Sequence, residues 1–202
     1  MQNQLLKEAN EFQEKLSAWR RALHQIPEIG LHLPKTVAFV KKELEQMDIP
    51  YTVYEESSCI VALIGSGEKC FMLRSDMDAL PVREESGEPF ASENGCMHAC
   101  GHDMHTTTLL GAAKLLKSHE RELKGTVKLL FQSAEETFQG AKAAVDAGVL
   151  ENPRVDAAFA MHVAPNSENK KIIYGEYPMT SVYGFRILLT GKGTHGSAPE
   201  LG

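Results

Sequence analysis

The chain has 202 residues, 43% of them hydrophobic, and a formal net charge of −6 at pH 7. This size and composition indicate one globular domain with part of a second. The acidic balance excludes the basic surface of a nucleic-acid-binding protein, and no apolar run approaches the roughly 20 residues of a membrane span. No basic and apolar leader opens the sequence, and its four cysteines do not form a disulfide framework, so we expect a cytoplasmic protein.

The first 50 residues show apolar side chains at helical spacing. Leu5, Phe12, Leu16 and Trp19 belong to a stripe that predicts one amphipathic helix over residues 3–23. The helix should end before Pro27, because the residue before a proline avoids the helical region. A second helix is predicted over about 35–47.

The middle of the chain alternates between apolar runs and helical patterns. Four runs, each bounded by turn signals, predict buried strands: 59–65, 69–73, 126–131 and 156–161. Helices are predicted over 104–119 and over 140–147, the latter closing at Gly148. This alternation predicts an α/β fold in which a mixed, largely parallel sheet is flanked by helices.

Ionisable residues follow three of these strands directly. Asp76 and Asp78 come after the second strand, Glu135 and Glu136 after the third, and His162 after the fourth. In open α/β sheets, ligands bind at the carboxyl ends of the strands. We therefore expect these side chains to lie at one edge of the sheet.

Residues 97–105 combine a thiol, three imidazoles and a carboxylate. Gly101 separates Cys100 from His102 and allows a tight backbone turn, so both side chains can face one point. Thiolate, imidazole and carboxylate are ligands for zinc and other divalent transition metals. Together with the strand ends, this segment predicts a metal centre.

Other interpretations remain open for these residues. Cys100 could be a nucleophile activated by a nearby histidine, or could form a structural zinc pair with Cys96, although no second cysteine pair accompanies it. His162 could be a buried core histidine, and the two glutamates a solvated strand end. Asp103 is interpreted as the N-cap of the following helix.

The pattern changes towards the C-terminus. Residues 183–190 alternate in the way expected of a half-exposed strand, and a glycine-rich polar loop, 191–199, follows.

Six segments in order resemble the dinuclear-metal amidohydrolases and carboxypeptidases that include hippurate hydrolase, bacterial N-acyl-amino-acid amidohydrolases and plant indole-acetyl-amino-acid hydrolases. The segments are 20–30, 73–81, 97–105, 131–136, 160–162 and 191–199. The resemblance implies a zinc-peptidase-like catalytic domain, here 1–180, and an inserted α/β lid or dimerisation domain that begins at 181–202. It also implies a homodimer formed through the lid.

The resemblance assigns roles to individual residues. Cys100, His102, Glu136 and His162 match ligands of two divalent ions, which could be zinc, manganese, cobalt or nickel. Glu135 matches the general base, Asp76 an acidic residue that orients a ligand, and His195 a lid histidine that reaches the substrate.

The function implied is hydrolysis of the amide bond of N-acetyl, N-benzoyl or similar amino acids by metal-activated water. Alternatives are a metallo-carboxypeptidase acting on short peptides and an inactive fragment of such an enzyme. The resemblance places a further ligand histidine far downstream in a longer chain. For these 202 residues alone we therefore expect poor solubility and no appreciable activity.

Overall fold

The apolar runs in the middle of the chain form a mixed five-stranded sheet. The computed structural model describes residues 2–175 and 181–202. The strands are β1 (Tyr51–Tyr54), β2 (Cys59–Gly65), β3 (Cys70–Asp76), β4 (Thr126–Gln132) and β5 (Ala157–Ala160), in the spatial order β1-β2-β4-β3-β5. β3 is parallel to β4 and β5, whereas β2 is antiparallel to β1 and β4. The predicted α/β sheet is confirmed, and β1 is an addition to it.

Helices flank this sheet. They are α1 (Gln2–Glu11), α2 (Gln13–His24), α3 (Pro34–Gln46), α4 (His102–Ser118) and α5 (Gly140–Asp146), with short 3-10 helices at Glu120–Glu122 and Pro199–Leu201. The predicted helix over 3–23 is divided at Phe12, whose N–H bonds to the carbonyl of Ala9, three residues back. A hydrogen bond to the residue three positions back, instead of four, tightens the backbone and explains the break in the helix.

Alternation along the strands places apolar side chains on both faces of the sheet. On one face, Ile60 and Ile64 of β2 and Phe131 of β4 pack in a core with Trp19 of α2 and Leu110 of α4. The other face carries a smaller core that includes Ala144 of α5. Within the described ranges, no helix is both long and apolar enough to cross a membrane.

The chain divides into two compact units, 1–164 and 165–202. The sheet and α1–α5 lie in the first unit. The strand predicted over 183–190 is wrong: these residues are not in a strand, and none of the five strands pairs with them. A strand needs a partner for its backbone hydrogen bonds, which the alternation pattern cannot guarantee. The predicted domain boundary at residue 180 falls in 176–180, outside the described residues, so that boundary stays a prediction.

A buried lysine holds the connection between α5 and β5. Lys128 of β4 is 1% exposed, and its ammonium group donates to the carbonyls of Val149, Glu151 and Pro153 at 2.8, 2.7 and 2.8 Å. Burial lowers the pKa of Lys128. The three bonds satisfy carbonyls of the segment that leads into β5, the strand preceding His162.

Replacing Lys128 by methionine should lower the free energy of unfolding by about 2 kcal/mol or more, because buried carbonyls lose charged donors. Urea unfolding followed by circular dichroism would measure the change. Lys124→Met is the control, since Lys124 is exposed and a surface change of this kind costs at most about 0.5 kcal/mol. Equal stability of the two variants would show that the Lys128 bonds contribute nothing net.

Candidate metal centre

The parallel strands bring the predicted acidic residues and His162 to one sheet edge. Asp76 is the last residue of β3 and pairs with Gln132, the last residue of β4. The glutamates follow β4 after a sharp turn in which Ala134 has φ +50, a left-handed conformation that costs energy in a residue with a Cβ. His162 lies two residues beyond the end of β5. The prediction that these side chains lie at one edge of the sheet is therefore confirmed.

The Cys100–His102 segment enters the same edge through Gly101. This glycine has φ +88 and occupies the N-cap position of α4. A Cβ at this position would lie 2.5 Å from Cγ2 of Val163. Both the left-handed backbone and the close approach therefore require glycine, as the sequence predicted. α4 begins two residues earlier than predicted, which places His102 at its first position.

The four predicted ligands and Glu135 form one cluster. Sγ of Cys100 lies 3.3 Å from Nε2 of His162. Nε2 of His102 lies 3.7 Å from Oε1 of Glu136 and 3.8 Å from Oε2 of Glu135. One donor atom from each of Cys100, His102 and His162 lies within 4.8 Å of the others, and the same holds for His102, Glu135 and Glu136. His102 belongs to both groups and joins them.

Two buried atoms of this cluster lack hydrogen-bond partners among the described residues: Nε2 of His102 and Oε1 of Glu136. The other nitrogen of His102, Nδ1, donates to the carbonyl of Asp78 at 2.8 Å, and Nδ1 of His162 donates to the carbonyl of Val163 at 2.7 Å. Both imidazoles thus direct the lone pair of Nε2 at the cluster, where that of His162 faces Sγ of Cys100 and that of His102 has no hydrogen-bond donor among the described residues. Buried polar atoms without partners are costly, and a divalent ion would satisfy them. The donor set therefore fits a metal.

The surroundings of Cys100 favour its interpretation as a metal ligand over its interpretation as a nucleophile. Burial raises the pKa of this thiol to about 12, with further contributions from Glu136, Glu135 and Asp76. A cysteine nucleophile needs the opposite, a pKa lowered towards neutrality. The same carboxylates attract a cation, which would stabilise the thiolate.

Asp78 supports three members of the cluster, a role that the sequence analysis missed. Its carboxylate is fully buried, and it accepts the backbone N–H of Glu135 on Oδ1 and that of Glu136 on Oδ2, both at 3.0 Å. Its carbonyl accepts the bond from His102 described above. The only sequence signal was its position two residues after the end of β3.

Asp76 adjoins the cluster, with its Oδ1 3.7 Å from Nε2 of His102. Its Oδ1 accepts a bond from Nδ1 of His105 at 2.6 Å, and its Oδ2 one from the guanidinium of Arg74 at 2.6 Å. Burial alone would raise the pKa of Asp76, but the bond to His105 and the charges of His102, Arg74 and His105 lower it to about 2. Asp76 is therefore a carboxylate.

Behind the first turn of α4 lies a buried ionic network that the sequence analysis did not anticipate. Asp103 is not the N-cap. Its Oδ2 contacts Arg20 at 2.9 Å and Nδ1 of His24 at 2.7 Å. The other ring nitrogen of His24 contacts Glu84 at 3.0 Å. His24 is buried because it joins α2 to α4 and to the segment that contains Glu84. Sequence spacing carries no signal for contacts this far apart.

His195 lies in the second unit, within a turn closed by the Ala198 N–H bonding to its carbonyl. The imidazole Nδ1 lies 2.9 Å from the hydroxyl of Ser197, and the side chain is exposed. Its assignment as a substrate-contacting residue stays a prediction.

Several known proteins resemble this chain in sequence. Residues 72–187 match the model of peptidase family M20/M25/M40. The chain is 44% identical to the IAA-amino acid hydrolase ILR1-like 4 of Arabidopsis thaliana, covering 96% of this chain and 44% of that protein. It is 40% identical to the N-acetylcysteine deacetylase of Bacillus subtilis, covering 94% of this chain and 50% of that protein.

A solved structure extends the likeness to the fold. The YXEP protein of Bacillus subtilis, described as a dinuclear metal binding peptidase from the M20 family, superposes with a TM-score of 0.73 at 40% identity. The match covers 78% of this chain and 45% of that one. The chain belongs to peptidase family M20/M25/M40, which confirms the resemblance, and it spans about half the length of the relatives that it matches.

Proposed function

We propose that the protein is a metal-dependent amidohydrolase that cleaves the amide bond of N-acyl amino acids. The observation that carries the proposal is the buried Nε2 of His102, which has no partner among the described residues and lies between the glutamate pair and the Cys100–His162 pair. Cys100, His102, Glu136 and His162 are proposed to hold two divalent ions. When bound, the ions would acidify a water molecule and polarise the amide carbonyl.

The two glutamates are proposed to divide the work. The side chain of Glu136 is 19% exposed and has a buried oxygen that needs a partner, whereas the side chain of Glu135 is 34% exposed. On this basis Glu136 is proposed as the ligand, and Glu135 as the residue that meets water and substrate. Glu135 would take a proton from the attacking water and deliver it to the leaving amine.

The proposed substrate preference is supported by the relatives and not by this site. Two relatives are named for N-acylated amino acids, one an IAA-amino acid hydrolase and one an N-acetylcysteine deacetylase. We propose acetyl, benzoyl or similar acyl groups for this protein, with His195 of a lid that begins at 181–202 contacting the substrate and a homodimer formed through that lid.

The second candidate is a metallo-carboxypeptidase acting on short peptides. The observation that favours it is the match to a peptidase family and to a structure described as a dinuclear metal binding peptidase. Both candidates use the same metal centre, so the substrate distinguishes them.

Removing metal tests the shared centre. In a form of the protein that spans the full length of its relatives, a chelator should abolish hydrolysis, and adding back zinc, manganese, cobalt or nickel should restore it. Activity assayed on N-acetyl and N-benzoyl amino acids beside dipeptides would separate the two candidates. Full activity in a preparation that metal analysis shows to be metal-free would contradict the proposed function.

A further inference from the structure

Among the described residues, His105 is the one imidazole beside the metal centre whose two ring nitrogens both have partners from other elements. It lies on α4, one turn after His102, and is 6% exposed. Nδ1 contacts Oδ1 of Asp76 at 2.6 Å, and Nε2 accepts the backbone N–H of Val163 at 2.9 Å. The ring therefore bridges the end of β3 to the segment that follows β5.

These contacts determine the form of the imidazole. A backbone N–H can only donate, so Nε2 of His105 must carry the lone pair and Nδ1 the proton that is donated to Asp76. With both nitrogens engaged, His105 has no lone pair for a metal, although its position among Asp76 and His102 is close enough for one.

The partner of Nε2 lies next to a proposed ligand. Val163 follows His162, and the rings of His105 and His162 meet edge to face with centroids 4.5 Å apart. His162 in turn directs Nε2 at Cys100. Asp76 is itself held in place, because Arg74 donates a hydrogen bond to its second carboxylate oxygen.

We infer that His105 is a positioning residue, which transmits the fixed orientation of Asp76 to the backbone at Val163 and so sets the ring of His162 against Cys100. The inference rests on the proposed function for the role of His162 as a ligand. It explains why a histidine occupies this position. A rigid imidazole presents a donor on one side and an acceptor on the other, whereas an amide side chain of either length can reach only one of the two partners.

Two amide variants test the two hydrogen bonds of His105 separately. In His105→Asn the amide lies near the position of Nδ1 and can reach Asp76, and in His105→Gln it lies near the position of Nε2 and can reach Val163. Each variant keeps one bond and loses the other. Both should bind zinc about tenfold more weakly than the wild type, the loss expected when the support of a ligand is removed. His32→Asn is the matched control, since His32 is exposed, and its zinc affinity should equal that of the wild type.

A second measurement needs no variant and no metal. Imidazole ¹⁵N spectra of the metal-free wild type at neutral pH should show His105 with a protonated Nδ1 and a bare Nε2. If both variants prove unfolded, this spectrum decides the matter. A protonated Nε2 on His105, or unchanged zinc affinity in folded variants of a zinc-binding wild type, would overturn the inference and leave the proposed function standing. A wild type that binds none of zinc, manganese, cobalt and nickel would instead overturn the proposed metal centre, and this inference with it.

Discussion

In a form of the protein that spans the full length of its relatives, Glu135→Gln should reduce kcat by about a thousandfold or more while leaving the metal content unchanged. The substitution keeps the size of the side chain and removes its ability to accept a proton, and general-base catalysis contributes roughly 10²–10⁴-fold. The backbone N–H of residue 135 still reaches Asp78, so the turn should persist. Steady-state kinetics on N-acyl amino acids and metal analysis of the same preparation would measure both quantities.

Glu136→Gln is the paired variant and should behave differently. Its buried Oε1 has no partner among the residues described, so loss of the carboxylate should remove a ligand and lower the bound metal. Equal metal loss in the two variants would contradict the proposed division of labour, as would a Glu135→Gln variant that keeps wild-type turnover.

Asp78→Asn should lower metal affinity by about ten- to a hundredfold and reduce the free energy of unfolding by about 2 kcal/mol. Both carboxylate oxygens of Asp78 accept backbone N–H groups at 3.0 Å, and an amide offers only one oxygen. One N–H, of Glu135 or Glu136, would then face an NH₂ group in a fully buried position. The turn that aims the glutamates should shift as a result.

The measurement combines zinc titration with urea unfolding of the same variant. Asp146→Asn is the control, because Asp146 is exposed on α5 and pairs only with Lys142 on the surface among the contacts described. Wild-type zinc affinity in Asp78→Asn would show that the paired bonds do not hold the site in shape.

The strand-end residues could be predicted because their placement depends on local pattern and one general rule. An apolar run followed by Asp76, by Glu135 and Glu136 or by His162 marks the end of a buried strand, and parallel strands end at the same edge. Gly101 was predictable for a related reason, since few other residues allow a tight left-handed turn between two ligands. These features are encoded within a few consecutive residues.

The supporting contacts could not be predicted in this way. Asp78 bonds to backbone groups 57 and 58 residues away, His24 meets Asp103 79 residues away, and the bridge from His105 to Val163 spans 58. Hydrogen bonds to backbone N–H groups leave no mark on the identity of the donor residue, so no spacing rule reveals them.

The sequence by itself therefore determined four of the five strands, the family and the residues that converge at the edge of the sheet, because hydrophobic periodicity and ligand chemistry are properties of short segments. Only the tertiary structure decided which of those residues have free lone pairs. His102 and His105 differ by one helical turn, and both are buried histidines of α4. One keeps Nε2 free, and the other has it bonded to Val163. That difference arises from how β5 and the residues after it pack against α4, and from nothing in the side chains themselves.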